Sequence, residues 1–190
     1  MLVDSRAPHR RLIMSKKKPS HADAELILSL YDLRRETVMR ESRKTIASWV
    51  PRGYEDLQAL IKPTHPSNAA WRQVSSYYEM AFGFARHGIV PADFLAENTG
   101  EGLLLYAKIE PHLKAFRKQV SPTAFRNAEW LVKKSPAAQE RMKLLKKRLA
   151  AMLTANRKAE RVLARSDSER AEEGEEQLTL ALVEIGEGRP

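Results

Sequence analysis

The sequence predicts an all-α fold, a bundle of about six helices that ends in a long C-terminal helix. Three observations carry that reading. Apolar residues recur every three or four positions over long stretches, the period of a helix with one buried face. The nine residues Tyr77–Ala85 are apolar, aromatic or small except for Glu79, so this rod reads as a central helix covered on every side. A seam of Met142, Leu145, Leu149, Met152, Asn156, Ala159 and Leu163 alternates by three and four, as in a coiled coil with one polar position.

The elements follow in order. Residues 1–20 carry Arg6, Arg10, Arg11, Lys16, Lys17 and Lys18 with little to bury, and read as a disordered basic arm. Met1 or Met14 would serve as the start. The apolar piece Leu12-Ile13-Met14 is too short for a signal peptide. A first helix is expected from Ser20 to Trp49. Asp23 lies in its first turn, and Leu26, Leu30 and Leu33 form a stripe that Ile27, Tyr31 and Val38 widen. Glu36 and Arg40 are spaced as an ion pair on its surface. Val50-Pro51 ends it. A short helix covers Tyr54 to Ile61, and Lys62-Pro-Thr-His-Pro-Ser is a loop.

The central helix is expected from Ser67 to His87, with Trp71, Val74, Tyr78, Ala81, Phe82 and Ala85 facing inward and Gly88 as its stop. A turn with Phe94 and Leu95 leads to the loop Asn98–Gly102. Leu103 to Gln119 is helical with a kink at Pro111, which removes a backbone donor. Ser121-Pro122 and Ser135-Pro136 read as two helix starts, serine capping and proline following. The last helix is expected to run from Pro136 to about Arg165. Residues 21–165 thus form the helical domain, and residues 166–190 an acidic tail without fixed structure.

Charge divides the chain. It carries +9 overall, yet residues 166–190 hold eight acids and two bases, a net −6, which leaves +15 on residues 1–165. That pattern fits a polyanionic partner or a tail that screens the body. There are no cysteines, which excludes disulfides and thiolate chemistry and fits the cytoplasm. No stretch approaches the roughly 20 apolar residues that span a membrane. The five histidines lack the spacing of a helical metal pair. Phosphate loop, nucleophile elbow and metalloprotease motifs are missing, so no metal or cofactor is expected and an enzyme is the less favoured reading.

Two segments point to a family. One is Tyr77-Tyr78-Glu79-Met80-Ala81 followed by Gly88-Ile-Val-Pro-Ala-Asp-Phe-Leu95. The other is Ile109-Glu-Pro-His-Leu-Lys-Ala-Phe-Arg117 followed by Asn127-Ala-Glu129-Trp-Leu131. Over residues 25–135 the arrangement resembles the bacterial family catalogued as domain of unknown function 4760. The resemblance implies a helical fold and no established activity. Glu79 matches a recurrent aromatic-Glu pair and Arg117 a basic position, whereas Glu129 follows Ala128 rather than an aromatic.

The candidate site is a polar centre: Glu79 and Glu129 among apolar residues, with Arg72, Arg117 and Arg126 as partners. A buried carboxylate is costly unless paired, so a structural ion pair is the simpler reading, and a ligand-binding or proton-transfer centre the sharper one. For nucleic acid, Lys16, Lys17, Lys18, Lys146, Lys147 and Arg148 supply the basic footprint. In the tail, Gln177, Leu178 and Leu180 resemble a clamp-docking peptide that has lost its aromatic end, or an apolar strip that folds back. The leading function is a non-enzymatic interaction or scaffold protein, with a homodimer through residues 142–163 as one form. A weak nucleic-acid-binding protein and a ligand binder or enzyme at Glu79 are the alternatives.

Overall fold

The computed structural model describes residues 18–187, with side chains as far as Val162 and at Arg170. These residues form α1 (His21–Arg35), α2 (Thr37–Ser48), α3 (Tyr54–Leu60), α4 (Asn68–Arg86), α5 (Ala92–Asn98), α6 (Gly100–Ile109), α7 (Leu113–Gln119), α8 (Arg126–Lys134) and α9 (Pro136–Glu187). A 3-10 turn, Glu110–His112, joins α6 to α7, and no strand occurs among the described residues. The all-α prediction holds. Lys16, Lys17 and the rest of residues 1–17 lie outside the described residues.

The described helices exceed the expected number because two predicted helices are interrupted and the expected turn at Phe94 and Leu95 is the helix α5. The first breaks at Glu36, whose backbone is extended at φ −54°, ψ 141°. The Glu36 carboxylate accepts from the N–H groups of Val38 (3.0 Å) and Met39 (2.8 Å), so it caps a new helix instead of serving mainly as a partner for Arg40. The predicted stripe breaks with it. Leu30 is buried, whereas Tyr31, Leu33 and Val38 are exposed. The second interruption is at Pro111, where the expected kink becomes the 3-10 turn.

The core gathers around α4 and α6. All six residues predicted to face inward from α4 are buried. The rod is not covered on every side, however: Met80 is 44% exposed, and Tyr77, Glu79 and Phe84 are half-buried. α4 packs mainly between α2 and α8, leaving a strip open to solvent. The helix that is enclosed nearly all round is α6, where Gly102, Leu103 and every residue from Leu105 to Ile109 are buried. α6 also starts earlier than predicted, within the stretch read as a loop.

Ser121-Pro122 is not a helix start. α8 begins at Arg126, after Phe125 turns the chain in the left-handed region at φ 54°. That backbone is unfavourable by about 1–2 kcal/mol for a residue with a Cβ. It persists because the Phe125 ring packs on Trp71, Phe116 and Tyr106, with centroids 5.8–6.5 Å away. Ser135 does start α9 as expected. Fully buried, its Oγ accepts from Ala138 N (3.1 Å) and donates to Asp93 Oδ1 (2.6 Å).

α9 is 52 residues long, about 78 Å at 1.5 Å per residue. It continues past Arg165, where the sequence predicted its end, through the acidic stretch to Glu187. Its near end belongs to the core: Ala138, Met142, Leu145 and Leu149 are buried against the body, with α5, α6 and α8 as neighbours. From Met152 outward, Met152, Asn156 and Ala159 are exposed. The predicted seam is therefore divided. Met142, Leu145 and Leu149 are already used within the chain, which leaves Met152, Asn156 and Ala159 as the exposed part of the stretch 142–163.

Candidate functional site

Glu79 anchors a helix. Its carboxylate accepts from the backbone N–H groups of Asn127 (3.2 Å) and Ala128 (2.9 Å), in the first turn of α8. Asn127 returns a side-chain bond from Nδ2 to the Glu79 carbonyl (2.9 Å). The first N–H groups of a helix have no internal partners and sit at its positive end, so a carboxylate fits there. Burial raises the Glu79 pKa, opposed by those two N–H groups and then by the fields of Arg117 and Arg126.

The polar centre expected from the sequence does not assemble as one group. Among the described residues Glu79 makes no ion pair. Glu129 instead takes Arg117 Nη2 (2.9 Å) and Lys133 Nζ (2.6 Å), and its pKa is lowered, first by Lys133 and then by Arg117. Arg117 also donates from Nε to the Ala124 carbonyl (2.9 Å). Arg72 and Arg126 are exposed. Beside Glu79 runs an open groove of about 600 Å³, lined by Trp71, Arg72, Ser76, Phe116 and Phe125 among others. Backbone N–H groups bond the Glu79 carboxylate directly, and Arg117 and Arg126 act on it only through their fields.

The strongest ionic centre is at Glu101, a residue read from the sequence as part of a turn. Arg43 grips it with two bonds, Nε to Oε2 at 2.5 Å and Nη2 to Oε1 at 2.6 Å. Tyr78 donates its hydroxyl (2.9 Å), and Arg34 Nη2 lies 3.2 Å away. Arg43 Nη1 also reaches the Arg34 carbonyl (3.0 Å), and Tyr77 donates to the Leu30 carbonyl (2.6 Å). The cluster ties α1, α2, α4 and α6 together. Arg43 is the main cause that holds the Glu101 carboxyl below the usual range, while burial pushes the Tyr78 hydroxyl up. The Tyr77-Tyr78 pair is the sequence signal for this cluster, since both hydroxyls find partners in it.

Lys108 carries a buried charge. Its Nζ donates to the carbonyls of Ile46 (2.9 Å) and Ala47 (2.8 Å), at the C-terminal end of α2. Burial lowers its pKa to about 8. The two carbonyls, at the negative end of a helix, favour the ammonium. An apolar groove of about 560 Å³ lies beside it, walled by Val50, Pro51, Ala107, Leu149 and Leu153, with the Lys146–Glu110 ion pair (2.5 Å) at its rim.

None of these centres has the form of a catalytic constellation. Glu79, Glu101 and Glu129 are each engaged by donors that join elements, and no cluster among the described residues is placed to hold a metal ion. No described helix is long and apolar enough to cross a membrane. Charge is instead concentrated on α9, where Lys143, Lys146, Lys147, Arg148, Arg157, Lys158 and Arg161 are exposed. Gln177, Leu178 and Leu180 lie in the helical backbone of α9, with side chains outside the described residues.

No curated protein and no solved structure matches the chain. A family model does match, over residues 19–135, which spans α1 to α8 and leaves α9 beyond its end. More than half of the chain is covered, and both segments that suggested the family lie inside the match. The chain belongs to the family described as Domain of unknown function (DUF4760).

Proposed function

We propose that this protein is a non-enzymatic interaction protein, in which α1 to α8 form a supporting body and α9 the contact arm. One observation carries the reading. Past Leu149, α9 bears an exposed stripe of Met152, Ala155, Ala159 and Val162, spaced by three and four, with Arg157, Lys158 and Arg161 beside it. Small residues on such a stripe let a second helix approach closely, and flanking charges select the partner.

The two rival readings have less support. Exposed Lys146, Lys147 and Arg148 would suit a polyanion, but the same helix carries eight acids further on, which would repel one. A ligand or proton-transfer centre at Glu79 would need a carboxylate free to act, and this one is held by two backbone N–H groups.

The test is affinity purification from the native host with the full chain and with Val162→Glu, a change on the exposed outer stripe. The variant is expected to keep its melting temperature and lose the proteins retained by the wild type. An identical retained set for both chains would overturn the reading.

A further inference from the structure

The charges along α9 are arranged about residue 165. Arg161 stands as far before it as Glu169 stands after it, and the same holds for Lys158 and Glu172 and for Arg157 and Glu173. Further out, Lys146 mirrors Glu184 and Lys143 mirrors Glu187. The one acid among the bases, Glu160, mirrors the one base among the acids, Arg170. From residue 143 to 187 no two residues of like charge mirror each other, apart from Arg165 on the axis itself. Glu160 also pairs with Arg52 of its own chain (3.0 Å), so the pattern rests on the mirrored opposite charges at 143/187, 146/184, 157/173, 158/172 and 161/169.

A continuous helix keeps these partners apart within one chain. Arg157 and Glu173 are separated by about 24 Å along the axis at 1.5 Å per residue. In two antiparallel helices crossing at residue 165 they fall at the same level. We propose that the occupant of the α9 stripe is a second copy of this chain, paired antiparallel about residue 165. The inference rests on the contact-arm reading above and names its partner. A parallel pair would set like charges side by side, which is unfavourable. The antiparallel pair also separates the two bodies, since each buries its own Leu145 and the two positions lie about 60 Å apart along the paired helices. The core-facing Met142, Leu145 and Leu149 stay where they are, and Met152 to Val162 meet the partner's acidic half.

The cysteine-free chain makes orientation measurable. Ala159 and Ala171 mirror each other, so full-length chains with Ala159→Cys and Ala171→Cys are oxidised separately and as a mixture. A disulfide in the mixture alone is expected. Disulfides within each separate sample indicate parallel pairing and overturn the proposal. Light scattering on the wild type at low salt is expected to give twice 21.6 kDa, falling to 21.6 kDa as salt screens the pairs. The variants Arg157→Glu/Arg161→Glu and Glu169→Arg/Glu173→Arg are expected to be monomers alone and a dimer when mixed, with helix content checked by circular dichroism. A wild type that is monomeric at tens of micromolar at every salt overturns self-pairing. If Val162→Glu then still loses its retained proteins, the contact-arm reading stands without it; if not, both fail.

Discussion

Replacing Glu79 by alanine separates two accounts of the same acid. An ion pair would strand a buried arginine and cost about 3–5 kcal/mol. The structure instead leaves two N–H groups of α8 without their acceptor. Losing a helix cap costs about 0.5–2 kcal/mol, so Glu79→Ala is expected in that range by chemical denaturation. Glu101 has the opposite character. Removing it leaves Arg43 and Arg34 facing each other with Tyr78 unsatisfied. Water reaches this carboxylate, which is 41% exposed, so Glu101→Ala is expected to cost about 1–3 kcal/mol rather than the full penalty of a dry pair. The denaturation midpoint should therefore fall further for Glu101→Ala than for Glu79→Ala.

Close approach of helices is governed by single small residues. A Cβ added at Gly102 would meet the Tyr78 ring, with Phe82 Cζ only 2.6 Å away. α6 lies against α4 at that point, both aromatic rings are buried, and neither has room to turn aside. Gly102→Ala is expected to lose about 1–3 kcal/mol, read as a lower melting temperature. The same element explains a failure of the sequence reading. Gly100-Glu-Gly102 reads as a turn in the sequence, yet Gly102 lies inside α6 and permits its close approach to Tyr78 and Phe82 of α4. Likewise the break at Glu36 was invisible in the stripe Leu30–Leu33–Val38. It depends on a side chain choosing backbone N–H groups over a neighbouring arginine, which spacing cannot decide.

Stability of the whole molecule should respond to pH in a set direction. Glu101 and Glu129 have lowered pKa values in the folded state, so their contribution is present above the ordinary 4.5 and is lost as pH falls below it. Glu79 is raised and works against them over its own window, while Glu36, held low by the N–H groups of Val38 and Met39, acts with them. On the alkaline side, the unfolded chain keeps the Lys108 proton up to 10.5 while burial lets the folded chain release it from about 8. Stability should rise between those values until tyrosine ionisation intervenes: Tyr78 and Tyr106 are raised when folded, so what they contribute is lost above about 10. Denaturation midpoints across pH 3–11 check both limbs, and Lys108→Met should remove the rise between about pH 8 and 10.

At this scale the helical class, the inward face of α4, the Ser135 start and the Pro111 interruption were legible, because each follows from local periodicity or backbone chemistry. The location of the enclosed helix was not. α4 has the richer aromatic run, but α6 is the one walled in by its neighbours, and that depends on contacts between residues far apart in sequence, such as Gly102 with Tyr78 and Lys108 with Ile46. The split of the expected polar centre has the same origin, since the partners of Glu79 and Glu101 come from elements 48 and 58 residues away.

The buried serine at the root of α9 has a practical corollary for anyone trimming the polypeptide. The family match stops at residue 135, a tempting place to cut. Such a cut would unroof the cleft that Ala138, Met142, Leu145 and Leu149 now fill, and would deprive Asp93 of its hydroxyl donor's neighbouring turn. The shortened product would present a raw oily trench to water, the usual prelude to clumping. The boundary drawn by sequence kinship is thus not a boundary of the physical unit, which reaches at least as far as Leu149.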